Sequence, residues 1–309
     1  MNQLESLIRI LASFDSRLLM TRNEYIAELA SIIPFLLAKK DITGETYSKV
    51  IDLEFKSMKI RSDIKVTNNP QSEELEPNTL AYHRVRGMIT SDSDWRFSSK
   101  QLQRNILTAE SNPNISGHFF HISSGGGEAW YLDQLAKTIR ETTKPRRGFM
   151  EKICGSAGYY IASQTEFISA ATPFDLVGCM GTMISFMDIQ PMFEKWGMKF
   201  IEEYANSSDL KNKKYNDLRT GKPEQFINEE LDPLRDQFVA DVKLCRPTIA
   251  ALPEDHPVLR GETYYADKAI ENGLIDIIEP FDAALERAYE AATAWHNEND
   301  KRRKALRYL

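Results

Sequence analysis

The stretch that decides the fold is PRRGFMEKICGSAGYYIAS, residues 145–163. Pro145 to Ile153 reads as a strand, and Gly155-Ser156-Ala157-Gly158 opens a helix that carries Tyr159, Tyr160 and Ile161. A strand that passes into a helix across small residues is the repeating unit of α/β folds. Working outward, the unit recurs. Leu80 to Ile89 reads as a strand, and Ser98, with Gln101 at the reciprocal position, caps a helix through Leu102 and Ile106. Ile115 to Ile122 is a second strand, ending in the turn Ser123-Ser124-Gly125-Gly126-Gly127, and a helix is expected at once behind it, with Leu132, Leu135, Ala136 and Ile139 on one face. Phe167 to Ala171 and Cys179 to Ile189 are expected as further strands. Ile227, Leu231, Leu234, Phe238 and Val242 share a helical face, with Pro233 starting a second segment. A final helix runs from about Phe281 into a charged tail.

The flanks read differently. Residues 1–66 form a helical N-terminal extension, in which Leu4, Leu7, Ile8 and Leu11 fall at helical spacing, Thr21 and Glu24 make a capping box, and Ile51, Phe55 and Met58 continue an apolar face. Residues 67–79, rich in Asn, Pro, Glu and Ser, are expected as a linker. The main domain then covers 80–291, and 292–309 form the charged tail. The hydrophobic share of 42% is enough for a buried core, and the net charge of −6 disfavours a general nucleic-acid binder. Cys154, Cys179 and Cys245 lack metal-ligand spacing, so neither a metal site nor a disulfide framework is expected, and a reducing compartment fits. Glu5, Arg9 and Asp15 interrupt any signal-peptide core. The apolar run Ile32 to Ala38 contains Pro34 and falls far short of the roughly 20 residues of a membrane span. The expectation is a soluble protein.

Two glycine-rich turns sit at strand ends, where open α/β sheets bind ligands. At Gly125-Gly126-Gly127 no Cβ obstructs the backbone N–H groups, which suits an oxyanion hole; a flexible turn or a phosphate cradle fits the same residues. The Walker and GxGxxG patterns are absent, and no cofactor is expected. At the second turn, the Ser156 hydroxyl lies at a helix N-terminus, and the N–H of Ala157 is placed beside it to stabilise an oxyanion; the plain alternative is that Ser156 caps the helix. A serine nucleophile needs a base. The five histidines are His83, His118, His121, His256 and His296, and none lies between Ser156 and His256. His118 and His121 read as half-buried sheet residues. Lysine can serve where burial leaves its amine neutral. Lys211 lies in the polar loop Ser207 to Asn212, with Lys213, Lys214 and Lys222 as neighbours that compete for the role and a solvated surface lysine as the plain reading.

At these residues the chain resembles the signal peptide peptidase A family, serine peptidases on the Clp protease and crotonase fold. The family's strand followed by Ser-Pro-Gly-Gly is similar to Ser123-Ser124-Gly125-Gly126, with Ser124 in place of proline. Its Ala-Ser-Gly-Gly-Tyr-Tyr-Ile-Ala-Ser is similar to Gly155 through Ser163. Pro173 and Gly178-Cys179-Met180-Gly181 resemble its next motif, Ser207 to Asn212 its lysine motif, and Gly261 to Tyr264 with Ala269 to Asp276 its terminal signature.

The resemblance implies a Clp protease/crotonase-like core of β-β-α type units behind the helical extension. It implies Ser156 as nucleophile, Lys211 as general base, Gly126 and Ala157 as oxyanion donors, and Gly125, Gly127, Met180 and Gly181 as substrate-binding positions. It also implies a polypeptide substrate and a homo-oligomeric ring in which serine and lysine meet across a subunit boundary. Soluble members in tailed phages mature the head by clearing scaffold protein. Phage scaffold or capsid proteins are thus the expected partners, and the host cytoplasm or the procapsid the expected location. The alternatives are a crotonase-type acyl-CoA hydratase or isomerase, and an inactive peptidase-fold assembly protein.

Overall fold

Adjacent apolar residues, such as Phe119-Phe120 within Ile115 to Ile122, suit a strand buried on both faces, and parallel sheets bury their strands in that way. The computed structural model describes residues 18–20, 47–93, 96–186, 188 and 190–306. The expected helical positions at Leu4 to Leu11 and at Thr21 to Glu24 lie outside the described residues. In chain order the elements begin with β1 (Leu18–Met20), α1 (Tyr47–Ser57), β2 (Val66–Thr67), β3 (Thr79–Arg86), β4 (Ile89–Thr90) and β5 (Phe97–Ser98). Then come α2 (Ser99–Ser111), β6 (Ile115–Ser124), β7 (Gly126–Glu128), α3 (Leu132–Arg140), β8 (Arg146–Gly155) and α4 (Ala157–Ser163). They are followed by β9 (Phe167–Ala170), β10 (Leu176–Gly178), α5 (Gln190–Lys195) and α6 (Lys213–Arg219). Helical turns at Glu224–Phe226 and Ile227–Leu231 lead into α7 (Asp232–Cys245), and further short turns follow at Pro247–Ala250 and Pro257–Arg260. β11 (Thr263–Tyr265), α8 (Ala266–Glu271), β12 (Ile277–Ile278) and α9 (Phe281–Leu306) complete the set.

β2, β3, β6 and β8 lie side by side and parallel. Beyond β8 the sheet divides. β9 and then β12 continue it along the first half of β8, whereas β10 pairs with Ile153–Gly155 and carries antiparallel β11 at its edge. A second, four-stranded sheet has the order β1, β7, β4, β5. This is a mixed α/β fold on a parallel sheet.

Successive β6 residues serve opposite faces, as the two-residue period of a strand requires. Phe120 and Ile122 pack with Leu135, Ile139 and Ile161 under α3 and α4. Phe119 joins Leu80, Tyr82 and Phe149 under Ala284, Leu285, Ala288 and Ala292 of α9. Gly117 lets α9 close on the sheet, because a Cβ there would lie 2.9 Å from that of Ala292.

The local signals hold where local chemistry sets them. Ser98 accepts from the Gln101 N–H at 3.2 Å and caps α2, although the Gln101 side chain turns to Asn105 instead of returning to the cap. Leu132, Leu135, Ala136 and Ile139 are all buried on α3. Other expectations are corrected. Leu18–Met20, expected as helix, is a strand. The glycine run leads into strand β7, and α3 starts only at Leu132, because β4 supplies a partner for Gly127. The fifth strand is Leu176–Gly178, and the described residues between Cys179 and Phe186 form no strand beyond a bridge at Met183. His118 and His121 are buried, not half-buried. Residues 67–79 are not a free linker, since Thr67, Pro70 and Thr79 are buried and Val66–Thr67 adds a strand to the main sheet. Helix α1 is tied to β3 by the Tyr47 hydroxyl on the Arg84 carbonyl (3.1 Å) and by the Arg84–Glu54 ion pair (2.9 Å). The structure therefore shows no packing boundary at Leu80. The position expected to start the tail, Ala292, is buried within α9.

Candidate active site

Ser156 follows the last residue of β8, at the carboxyl end of a central parallel strand. A bulge aims it there. Ile122 pairs with Met150 but Ser124 with Cys154, so β8 spends four residues where β6 spends two. Within the bulge Lys152 has φ +66°, and its N–H is held by the Asp175 carboxylate at 2.9 Å. Ser156 itself has φ 51° and ψ −118°. For a non-glycine residue this conformation costs on the order of 1–3 kcal/mol and persists only where the surroundings impose it. Two backbone bonds do so: Ser156 N–H to the Gly178 carbonyl and Tyr160 N–H to the Ser156 carbonyl, both 2.8 Å. A Cβ on Gly158 would lie 2.7 Å from the Ser124 carbonyl, so the first turn of α4 sits tight against the end of β6. The side chain is 1% exposed, it does not cap α4, and its Oγ has no hydrogen-bond partner. The capping reading is thereby overturned.

The two proposed oxyanion donors differ. Ala157 is the first residue of α4, where an N–H has no acceptor within the helix. The Gly126 N–H donates to Ser124 Oγ at 3.1 Å, and that hydroxyl donates onward to the Gly87 carbonyl at 2.6 Å. Gly126 has φ +115°, a conformation for glycine. Gly127 has a packing reason of its own, since a Cβ there would lie 1.9 Å from the Ile89 carbonyl oxygen. Gly125 lies between β6 and β7. Met180 is buried in the core, and Gly181 adjoins Gly261.

All five histidines are engaged away from Ser156. His83 bonds His118 at 3.0 Å, and His118 bonds Glu110 at 2.8 Å. His121 bonds the Tyr82 hydroxyl at 2.7 Å, His256 accepts from the Val258 N–H, and His296 bonds Ser116. Among the lysines, Lys213 pairs with Asp217, and Lys214 with Glu229 and Glu230. Lys211 is exposed, and among the described residues its amine makes no hydrogen bond or ion pair. Its backbone N–H donates to Ser208. The structure of one chain does not join Lys211 to Ser156. Lys144 is pushed down to about 8 by burial, but it bonds the Ala109 and Asn112 carbonyls beside the N-terminal end of β8, opposite the serine.

The family model of Peptidase family S49 matches residues 138–294, just over half of the chain. The chain belongs to Peptidase family S49. It is 24% identical over 222 residues to Protease 4 of Haemophilus influenzae, a match covering 69% of this chain and 34% of that protein. It is 24% identical over 232 residues to an Enterococcus faecium protein that carries the name of signal peptide peptidase SppA, covering 72% of this chain and 66% of that one. The chain thus spans only part of these S49 relatives. Among solved structures, the 1510-N membrane-bound stomatin-specific protease in complex with a substrate peptide is similar at 16% identity and a TM-score of 0.41, covering 70% of this chain and 80% of that chain. An enoyl-CoA hydratase/isomerase family protein from Silicibacter pomeroyi follows at 15% and 0.39, covering 64% and 71%. Both scores are low, and the α/β architecture stands on the strand pairing of the chain itself.

The S49 chain also has a feature, partly outside the matched residues, that no motif signalled. At the end of β7 a cavity of about 220 Å³ is lined by Ala129, Trp130, Tyr131, Asp133, Tyr160, Leu234 and Gln237. Tyr160, one turn beyond Ser156, donates its hydroxyl to Asp241, which also pairs with Arg140 at 3.2 Å and accepts from Gln237 at 3.0 Å. The helical spacing around Phe238 exposed the apolar face of α7 but not this polar cluster, whose members come from three helices. Among the described residues of this S49 chain, no helix is long and apolar enough to cross a membrane, and no group of three or more His, Cys, Asp or Glu could hold a metal ion.

Proposed function

We propose that the chain is a serine endopeptidase with Ser156 as nucleophile and Lys211 of a neighbouring copy as general base. One observation carries this reading: a buried, unpartnered hydroxyl at positive φ, on a strand-to-helix turn at the carboxyl end of the central sheet. Buried polar atoms are nearly always bonded, and strained backbone gathers at functional sites. The lysine amine takes the Ser156 proton while Oγ attacks the peptide carbonyl carbon. The C–N bond then breaks, and the amine leaves with that proton. Water then gives a proton to the same lysine and attacks the acyl ester, and the lysine returns that proton to Ser156 Oγ as the ester C–O bond breaks. The N–H of Ala157 holds the oxyanion, joined by that of Gly126 when it turns from Ser124 Oγ.

Lys211 needs cover before its amine can act as a base, and the segment around it supports assembly as the source of that cover. Trp196 (66% exposed), Ile201 (79%) and Leu210 (70%) leave an apolar surface of the kind that marks an interaction site. The arrangement fits a homo-oligomeric ring. The substrate is assigned, on sequence resemblance alone, to scaffold or capsid polypeptides of a tailed-phage head. A fluorophosphonate probe should label Ser156 and no other residue, as mapped by mass spectrometry. An unlabelled folded protein would overturn the nucleophile and favour the acyl-CoA or inactive-shell alternatives. A phage scaffold protein and a synthetic signal peptide, digested side by side, decide the substrate, and cleavage of the signal peptide alone would overturn the phage assignment.

A further inference from the structure

The strand that carries the proposed oxyanion glycine is covered by the chain itself. β7 pairs on one side with β4, at Ile89 and Gly127. On its other side lies β1, antiparallel, with Leu18 opposite Glu128, Leu19 opposite Gly127 and Met20 opposite Gly126. Among the described residues β1 has no further strand partner and forms the edge of the four-stranded sheet. A sheet edge beside a nucleophile is where an extended peptide can dock by adding a strand, its main chain supplying the affinity and pockets along the strand the selectivity. The cavity bounded by Ala129, Trp130 and Tyr160 opens where β7 ends. A strand laid on β7 therefore has a pocket at one end and Gly126 at the other, and the chain's own backbone at Met20 lies opposite Gly126. A three-residue strand held by one ladder is also the kind of element that opens locally at low free-energy cost.

We propose that Leu18–Met20 is an internal competitor that occupies the peptide-accepting edge of β7 and must leave before a substrate strand can bind. The proposal rests on the assignment of Ser156 and β7 to the substrate site. It gives the N-terminal segment a direct part in controlling the chemistry.

The test uses the full chain with Leu19→Pro and, separately, Met20→Pro. Successive N–H groups of a strand point to opposite sides, so proline removes a ladder donor in only one of the two variants. Two rates are read: fluorophosphonate labelling at Ser156, and deuterium uptake by the proteolytic fragment that carries Gly126–Glu128. Both are repeated with a synthetic peptide of residues 15–24 added. One variant is expected to label about tenfold faster than wild type and to exchange faster at β7, with the added peptide reversing both changes. Labelling and exchange at wild-type rates in both variants would overturn the proposal. So would unfolding of the whole chain in either variant, since β1 would then be a structural strand and not a detachable one. If the probe labels no form of the protein, the Ser156 reading fails, and the exchange experiment alone decides: faster uptake reversed by the peptide retains the competing strand, and unchanged uptake removes it.

Discussion

The turn at Ser156 and the loop at Lys211 are built in opposite ways. Ser156 is fixed from every side, by the β8 bulge, by the Gly178 carbonyl and by the close seat of Gly158 on Ser124. Lys211 stands in solvent on a loop whose apolar neighbours are uncovered. A buried network can hold a strained residue because many contacts share the strain, whereas a polar loop without such contacts takes its final geometry from whatever covers it. The comparison teaches that one subunit fixes Ser156 and leaves Lys211 open; in the function proposed above, assembly places the base.

The largest effects should come from breaking both halves. Ser156→Ala and Lys211→Ala are each expected to lose at least about 10³-fold in kcat/KM, since members of one catalytic unit fail together. Mixing the two inactive proteins should restore part of the activity if the dyad forms between copies, and a kinetic assay on the mixture checks it. Lys213→Ala and Lys214→Ala should stay near wild type, because their amines are held in ion pairs. Loss of activity in one of those two, with Lys211→Ala active, would shift the base to the wrong side of the comparison.

Stability sharpens the contrast next. Gly127→Ala puts a Cβ into the Ile89 carbonyl and should cost about 1–3 kcal/mol, read from urea denaturation. Ser156→Gly should instead stabilise the fold by about 1 kcal/mol, because glycine adopts φ 51° without strain and no hydrogen bond of Oγ is lost. A destabilised glycine variant would mean that Ser156 is held by something other than imposed backbone. In the Lys211 region, Ile201→Ser should change stability by no more than about 0.5 kcal/mol while weakening self-association, as measured by light scattering.

The pH dependence of stability is carried chiefly by buried groups, because solvent screens the exposed ion pairs. Burial holds His83, His118 and His121 below the ordinary value of 6.5, so the unfolded chain binds protons that the folded chain refuses. Their stabilisation is complete above pH 6.5 and is lost as pH falls below it toward the lowered folded values. Burial works to raise Glu110, but hydrogen bonds with His118 and Thr143 outweigh it and hold the carboxyl at about 2, which adds a further loss below about 4.5. Urea midpoints measured from pH 8 to pH 4 should be level and then decline. A midpoint that rises on acidification would contradict the neutral histidine pair.

The sequence by itself determined the elements whose signals lie within a few residues. The Ser98 cap, the α3 face, the passage from β8 through Ser156 into α4 and the start of α9 at Phe281 depend on contacts three or four positions apart or on the two-residue period of a strand. Tertiary structure decided what long-range pairing controls. Gly126–Glu128 is a strand because β4 and β1 lie beside it, and Leu18–Met20 is a strand for the same reason, although both stretches read otherwise in isolation. Residues 47–79 belong to the main body because the Arg84 guanidinium on β3 reaches Glu54 and because Val66 pairs with Leu80, neither of which has a local signature. The motif at Lys211 could be matched in the sequence, but burial is a property of the surface that closes over a residue, and spacing along a chain carries no record of it.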